Sequence, residues 1–245
     1  SLSAFRSLFS SVSIPQSIYA FCMGDYARVG NCKIKGRVSL LLVTPRIRAL
    51  PRTCCFHAYL QFMDSFRYPL AGEFSFRRDV LNDIRIPSDW GLEIGVLSEM
   101  HRNYNHNRRC QADIARVYDH KHQDLSLNND QGGLSKMSID ITKALFRKLA
   151  TQGHTFSTEM FRSIKATYFR IALDFIETYH NDASMNGLKL DIHNEEKAVE
   201  MFARNIMKAG QSFLENPMET PFIPSWNRVN SAMPDVFPRL IEAVE

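Results

Sequence analysis

The chain has 245 residues, of which 44% are hydrophobic and 23% are charged, and its formal net charge is +4. This composition is typical of a soluble globular protein and excludes a disordered chain, a collagen and a coiled coil. The longest apolar stretches, such as 38–43, are too short to span a bilayer, so we expect no membrane partner. Five cysteines without a Cys-x-x-Cys pair favour a reducing compartment, and we expect a cytoplasmic protein.

Positive charge is concentrated near the start of the chain. Within 1–63 the only acidic residue is Asp25. The basic residues of the stretch 28–52 are Arg28, Lys33, Lys35, Arg37, Arg46, Arg48 and Arg52. Such a basic stretch attracts anions: a phosphorylated metabolite, a nucleotide, a nucleic acid or a membrane surface. No nucleic-acid-binding signature accompanies it, so we favour a small anionic ligand over a nucleic-acid partner.

The first elements are predicted from local pattern. The serine-rich start, 1–11, resembles either a transit peptide or a short amphipathic helix that ends near Pro15, and we favour the helix. Aromatic residues over 19–29 predict a strand that runs into a turn. Apolar and basic residues over 36–50 predict a helix with a bend at Pro45.

Strands and helices continue to alternate up to about residue 118. Helical spacing of aromatic residues predicts a helix over 56–66, and a strand with Gly72 inside it is predicted over 68–76. A turn and a helix are predicted over 90–100, and alternation over 112–118 predicts a further strand.

After a break at Gln131-Gly-Gly only helices are predicted. Apolar residues recur every three or four positions over 160–180, which indicates one buried stripe. A second helix is predicted over 195–214 with Asn194 as its N-cap, and a short one from about Asp235. No catalytic motif is recognisable in these helices, whose apolar residues we assign to the core or to an oligomer interface.

Four short motifs occur in one order: Gly36-Arg-Val-Ser, Pro69-Leu-Ala-Gly-Glu-Phe, Trp90-Gly-Leu-Glu-Ile-Gly-Val-Leu and Asp119-His-Lys-His-Gln. Together they resemble the glucosyl-3-phosphoglycerate synthases and the related mannosyl-3-phosphoglycerate synthases, which are retaining GT-A glycosyltransferases. The likeness covers about residues 17–245 and implies a mixed α/β fold. It divides the chain into an acceptor-binding part of a GT-A-like domain, 1–130, and an all-helical C-terminal region, 131–245, that we expect to form the oligomer interface.

The first motif offers the chemistry that a phosphate needs. Gly36, Arg37, Val38 and Ser39 supply a backbone N–H, a guanidinium fork and a hydroxyl. The resemblance implies that this loop binds the phosphoglycerate acceptor. The alternative from the residues alone is an ordinary helix start with a solvated arginine.

The second motif combines small residues with a carboxylate. Leu70, Ala71 and Gly72 would let a flat sugar or nucleotide approach the backbone, and Glu73 would accept hydrogen bonds from sugar hydroxyls. By resemblance we count all four among the substrate-binding residues. The alternative is a strand whose glycine only relieves packing.

The third motif places Glu93 between Leu92 and Ile94, an apolar setting that is expected to raise its pKa unless it is paired. The resemblance implies that Glu93 lies in the sugar pocket and is the catalytic carboxylate. It would orient hydroxyls or support positive charge that develops on the anomeric carbon.

The fourth motif contributes two histidines. The resemblance implies that His120 is the metal ligand that completes an Asp-x-Asp site, where Mg²⁺ or Mn²⁺ bridges the diphosphate, and that His122 contacts substrate. Without the resemblance, a histidine-rich surface loop is the simpler interpretation. No Asp-x-Asp occurs in the 245 residues, so we expect Mg²⁺ or Mn²⁺ in the complete family enzyme and no tightly bound metal in this chain.

Two functions of different classes remain open. By resemblance, the chain is the C-terminal, acceptor-binding half of a transferase that moves glucose or mannose from a nucleotide sugar to 3-phosphoglycerate, and it forms a homodimer. Alternatively, it is a non-catalytic truncated homologue that acts as an anion-binding, oligomerising module. A nucleic-acid binder that uses the stretch 28–52 is a third hypothesis. In either of the first two cases we expect the isolated chain to lack transferase activity.

Overall fold

The computed structural model describes residues 8–10, 12–13, 17–26, 29–30, 32–54, 58–115, 133–218 and 223–244. The strands are β1 Phe21–Tyr26, β2 Val29–Gly30, β3 Lys33–Ile34, β4 Phe74–Phe76 and β5 Arg109–Ala115. A π-helical segment, Val38–Val43, leads into the first of the longer α-helices described, and a short 3₁₀ helix, His106–Arg108, precedes β5. These longer helices are α1 Thr44–Cys54, α2 Ala58–Asp64, α3 Arg78–Asp83, α4 Leu92–Asn103, α5 Gly133–Ala150, α6 Thr158–Met185, α7 Ile192–Glu215, α8 Trp226–Ala232 and α9 Val236–Glu242. The predicted mixed α/β class is confirmed.

The main sheet has three strands in the order β4-β1-β5. The central strand β1 is antiparallel to β4 and parallel to β5, and Phe21 is opposite Phe76 on one side and Arg109 on the other. Nearly every residue of β1 is buried, as expected for a strand covered on both faces. A separate hairpin pairs β2 with β3, and the linker between α6 and α7 joins it where the Lys189 N–H donates to the Cys32 carbonyl at 2.8 Å.

The core continues across the predicted boundary at residue 130. The stripe predicted for α6 is buried at Phe161, Ile164 and Tyr168, and α6 packs against both α1 and α7. One hydrophobic cluster contains Met23 of the sheet together with Phe202 of α7. The division into 1–130 and 131–245 stays a prediction, but its two parts share one apolar interior.

The basic stretch 28–52 is not one solvated patch. Arg46 is 1% exposed, lies over the Tyr168 ring at 5.1 Å, and donates hydrogen bonds to the Thr142 hydroxyl and to the Phe202 carbonyl. Burial lowers the pKa of Arg46 to about 10. This arginine therefore joins α1 to three other helices, and the expectation that it helps to attract an external anion is wrong.

Three local predictions are corrected by the structure. Asp191, not Asn194, is the N-cap of α7, because its carboxylate accepts the Asn194 N–H at 3.2 Å. The predicted strand over 68–76 forms only at Phe74–Phe76, and Gly72 lies in the turn before it. The helix α8, in the proline-rich tail, was not predicted.

Candidate functional site

A cavity of about 470 Å³ lies where the hairpin, the π-helical segment and four helices meet. Strand β3 and the start of the π-helical segment form one wall, and the turn before β4 forms another. The N-terminal part of α4, one face of α5, the end of α6 and the first turn of α7 complete the lining. The lining residues range from Lys33 to Glu195, so distant parts of the chain converge on one site.

Three of the four motifs meet at this cavity. Six of the residues predicted from them line it: Gly36, Arg37, Val38, Leu70, Gly72 and Glu93. Three others do not: Ser39 and Ala71 are fully buried outside the lining, and Glu73, which is partly exposed, is not part of it either. His120 and His122 lie outside the described residues. The assignment of each residue to substrate or metal stays a prediction, but the structure brings most of the predicted set together.

The first motif owes its geometry to its glycine. Gly36 has φ of 89°, a conformation that favours glycine, and its carbonyl accepts the Leu40 N–H at 3.1 Å to begin the helical segment. This turn places Arg37 at the cavity wall. Ser39 is buried, and its hydroxyl has no hydrogen-bond partner within the part of the chain that the structure describes.

Arg37 is not a solvated arginine. Its Nε lies 2.6 Å and its Nη2 lies 2.7 Å from the two carboxylate oxygens of Glu195, in the first turn of α7. These hydrogen bonds raise the pKa of Arg37. The bidentate geometry is the one that a guanidinium also offers to a phosphate.

Glu93 lies in the first turn of α4. Burial raises its pKa, and the nearby negative charge of Glu73 raises it further, as expected from the apolar sequence around it. Glu73 itself accepts a hydrogen bond from the Tyr26 hydroxyl at 3.1 Å. The cavity therefore holds a carboxyl group that takes up a proton more readily than a solvated glutamate does.

The two glycines that flank Glu93 have a packing role. A methyl group on Gly91 would lie 2.5 Å from Cβ of Ala144, and one on Gly95 would lie 2.3 Å from Cδ of Pro87. Spaced four residues apart, they form one close-packed face of α4. Glu93 lies between them in sequence and therefore projects from the other side of the helix.

Gly72 has a different environment. A methyl group placed on it would meet no heavy atom within 4 Å, and the residue is exposed at the cavity. The alternative that this glycine relieves packing is therefore not supported by its surroundings. Open space is what an approaching ligand needs.

Sequence reasoning missed most of what the later helices contribute. Tyr179 of α6, and Lys189, Asp191 and Asn194 around the start of α7, all line the cavity. Burial raises the pKa of Tyr179 to about 12, so its hydroxyl stays protonated at neutral pH. These residues belong to no recognisable motif, so the sequence signalled the cavity only through the three motifs and the basic residues Lys33 and Lys35.

Metal binding has no support in the described ranges. No three His, Cys, Asp or Glu side chains there are grouped so that they could hold a metal ion. His120, the predicted metal ligand, is not among the described residues.

In the same described part of the chain, no helix combines the length and the hydropathy that crossing a membrane requires.

The fold is that of a mixed α/β protein whose cavity is lined by both basic and acidic residues, and comparison with known proteins narrows the class. Over 231 residues the chain is 43% identical to the glucosyl-3-phosphoglycerate synthase of Persephonella marina, a match that covers 94% of this chain and 57% of that protein. Over 228 residues it is 40% identical to the glucosyl-3-phosphoglycerate synthase of Methanococcoides burtonii, covering 92% and 55%. The chain is a relative of the glucosyl-3-phosphoglycerate synthases over nearly its whole length, which confirms the resemblance carried by the motifs. It spans somewhat more than half the length of these curated relatives.

Two further comparisons add little. No protein-family model matches the chain. The crystal structure of glucosyl-3-phosphoglycerate synthase from Mycobacterium tuberculosis in complex with phosphoglyceric acid superposes with a TM-score of 0.46 and 19% identity, covering 60% of this chain and 44% of that one. This likeness is too distant to transfer the position of any residue.

Proposed function

We propose that the chain binds a 3-phosphoglycerate-like acceptor in the cavity and is the acceptor-binding part of a transferase that moves glucose from a nucleotide sugar. The observation that carries the proposal is the meeting of three family-like motifs at one cavity. The 43% identity to a glucosyl-3-phosphoglycerate synthase supports the choice of acceptor.

The charges around the cavity favour an anionic ligand. Its lining contains more basic than acidic residues: the basic ones are Lys33, Lys35, Arg37 and Lys189, and the acidic ones are Glu93, Asp191 and Glu195. Clustered cations in a concave site attract anions and raise their local concentration. A volume of about 470 Å³ is in the range of small-molecule sites.

In this proposal the two sides of the cavity have different roles. Arg37 and the lysines bind the acid and phosphoryl groups of the acceptor, while Glu93 orients sugar hydroxyls from the side of α4. With its pKa raised by burial, Glu93 can donate a hydrogen bond when protonated and accept one when ionised. Gly72 leaves room for the sugar between them. No step is assigned to a metal ion.

Calorimetric titration with 3-phosphoglycerate tests the acceptor site. Arg37→Ala is expected to weaken binding by about 1.5–3 kcal/mol, the range for hydrogen bonds to charged groups. Arg48→Ala is the matched control, because Arg48 pairs with Asp64 outside the cavity and carries the same charge. Unchanged affinity in Arg37→Ala, or equal losses in both variants, would place the site elsewhere.

Transfer activity needs a separate assay. Because no Asp-x-Asp occurs in the chain, we expect no glucose transfer from UDP- or GDP-glucose to 3-phosphoglycerate by the 245 residues alone, with Mn²⁺ present. Binding without transfer would favour the non-catalytic anion-binding module. Product above the buffer background would show that the chain is itself a transferase.

We also infer a homodimer built through the helical part. Several exposed apolar side chains lie in the last two helices and next to them: Trp226, Met233, Phe237, Leu240, Ile241 and Val244. Apolar surface of this kind is more often covered by a partner than left in water, and a two-fold interface is the commonest way to cover it.

A further inference from the structure

The arginine on which the proposed acceptor site depends already has an anion beside it. Glu195 pairs with the Nε–Nη2 edge of Arg37 through both carboxylate oxygens, at 2.6 and 2.7 Å. The Glu195 side chain is 10% exposed and that of Arg37 is 30% exposed, so solvent screens this pair only in part. Both residues line the cavity.

This arrangement changes how an external anion can bind. One edge of a guanidinium accommodates one carboxylate or one phosphate at a time. An incoming anion must therefore displace Glu195 or bind next to its negative charge. Either way, the carboxylate of Glu195 opposes the attraction that Lys33, Lys35 and Lys189 provide.

The position of Glu195 stabilises its charge even without Arg37. It lies in the first turn of α7, where the helix dipole stabilises a negative charge whether or not Arg37 is its partner. Its own N–H remains bonded to the Asp191 carbonyl at 3.1 Å, independently of the side chain. A change of side-chain position can therefore release Arg37 while the helix stays capped.

We propose that Glu195 is an internal competitor for the anion site, which sets the affinity of the cavity and favours doubly charged phosphate esters over carboxylates. A resident carboxylate matches an incoming carboxylate in charge, whereas a phosphate ester at neutral pH carries more charge and more acceptor oxygens. The inference rests on the proposed function, since it concerns the same cavity and the same arginine.

Calorimetric titration of the purified 245-residue chain with 3-phosphoglycerate, glycerate and inorganic phosphate tests whether Glu195 competes with the ligand. Removing the charge by Glu195→Gln is expected to tighten 3-phosphoglycerate binding by about three- to tenfold, the size expected for a partly screened ion pair. Glycerate, which lacks the phosphoryl group, is expected to bind more weakly than 3-phosphoglycerate to the wild type. Glu196→Gln is the matched control, because that neighbouring carboxylate lies outside the cavity and is expected to leave all three affinities unchanged.

A double variant shows whether the gain acts through Arg37. If Glu195 competes mainly for that arginine, Glu195→Gln tightens binding much less once Arg37→Ala is present. An undiminished gain in the double variant would overturn the competition for Arg37, because it would show that Glu195 acts only by repelling the ligand. If thermal unfolding shows that Glu195→Gln does not fold, Glu195→Asp replaces it in the titrations. This variant keeps the charge but withdraws the carboxylate from Arg37 by one methylene, and it too is expected to bind 3-phosphoglycerate more tightly than the wild type.

The outcomes separate this inference from the proposed function. If the wild type binds 3-phosphoglycerate and the Glu195 variants bind it equally well or more weakly, Glu195 is not a competitor, while the acceptor site is retained. Glu195 would then position Arg37 for the ligand. No binding of 3-phosphoglycerate or phosphate by any variant overturns the proposed function and the inference with it. If the Glu195 variants bind 3-phosphoglycerate more tightly and Glu196→Gln does not, the result supports both the proposed function and the competitor role of Glu195.

Discussion

Replacing Gly91 by alanine tests whether the glycines around Glu93 serve packing. The added methyl group would lie 2.5 Å from Cβ of Ala144 and 2.9 Å from Oδ1 of Asp89. To reach an ordinary contact of 3.4 Å, the start of α4 and the middle of α5 must separate by about 1 Å. Two buried ion pairs, Asp89–Arg147 and Glu99–Lys148, hold these helices together and oppose that movement.

The cost can be estimated from these contacts. Adding a methyl group to a packed core costs about 1–3 kcal/mol. Gly91 is the N-cap of α4 rather than an interior position, so alanine gains no helix propensity there and is a poorer cap than glycine. We therefore expect a loss of about 2–3 kcal/mol in the free energy of unfolding. In a chain of this length that corresponds to a fall in Tm of about 5–10 °C.

Urea and thermal unfolding of Gly91→Ala measure this loss, and Gly72→Ala is the matched control. Gly72 has open space around it and no positive φ, so its variant is expected to change stability by no more than about 0.5 kcal/mol. The same variant narrows the cavity and is expected to weaken 3-phosphoglycerate binding. Equal stability of both variants, or a stable Gly91→Ala, would refute the packing argument.

Three further predictions follow from the buried charges and the exposed helices. Glu93→Gln should gain stability relative to the wild type as the pH rises above 4.5, the ordinary pKa of a glutamate, because a raised pKa means that the folded wild type loses stability as this carboxyl ionises; a pH-independent difference in urea unfolding contradicts this. Glu99→Gln should lower the free energy of unfolding by about 3 kcal/mol, since it removes the charge of the carboxylate that pairs with the buried Lys148 ammonium at 3.0 Å; a change below about 1 kcal/mol would indicate that this pair behaves as an exposed one. Light scattering at micromolar concentration should give a molecular mass of about twice the 28.2 kDa of one chain, and a mass near 28.2 kDa would refute the homodimer.

Local elements were predictable because their signals lie within a few residues. The periodic stripe of α6 was buried as expected at Phe161, Ile164 and Tyr168. The strand β1 formed within the predicted range 19–29. Errors occurred at boundaries, as at the α7 N-cap, where Asn194 and Asp191 are both good capping residues and only the backbone geometry distinguishes them.

The candidate site was predictable to the extent that its motifs are local. Gly36 has a positive φ, which glycine tolerates, and the apolar residues around Glu93 are its neighbours in the chain. The turn at Gly36 and the raised pKa of Glu93 can therefore both be expected from the sequence. The partners of these residues are not local. Tyr179 and Lys189 reach the cavity from helices and linkers that carry no motif.

By itself the sequence determined the class of fold, the likeness to the glucosyl-3-phosphoglycerate synthases and six of the residues that line the cavity, because periodicity and motifs are properties of neighbouring residues. Only the tertiary structure decided which charges meet. Arg37 pairs with a glutamate 158 positions later, while Arg46, nine residues along the chain, is buried in the core. Both outcomes depend on how the π-helical segment and α1 pack against α6 and α7. The sequence could not distinguish these arginines, since the environment of a charged side chain is created by residues that are distant in the chain.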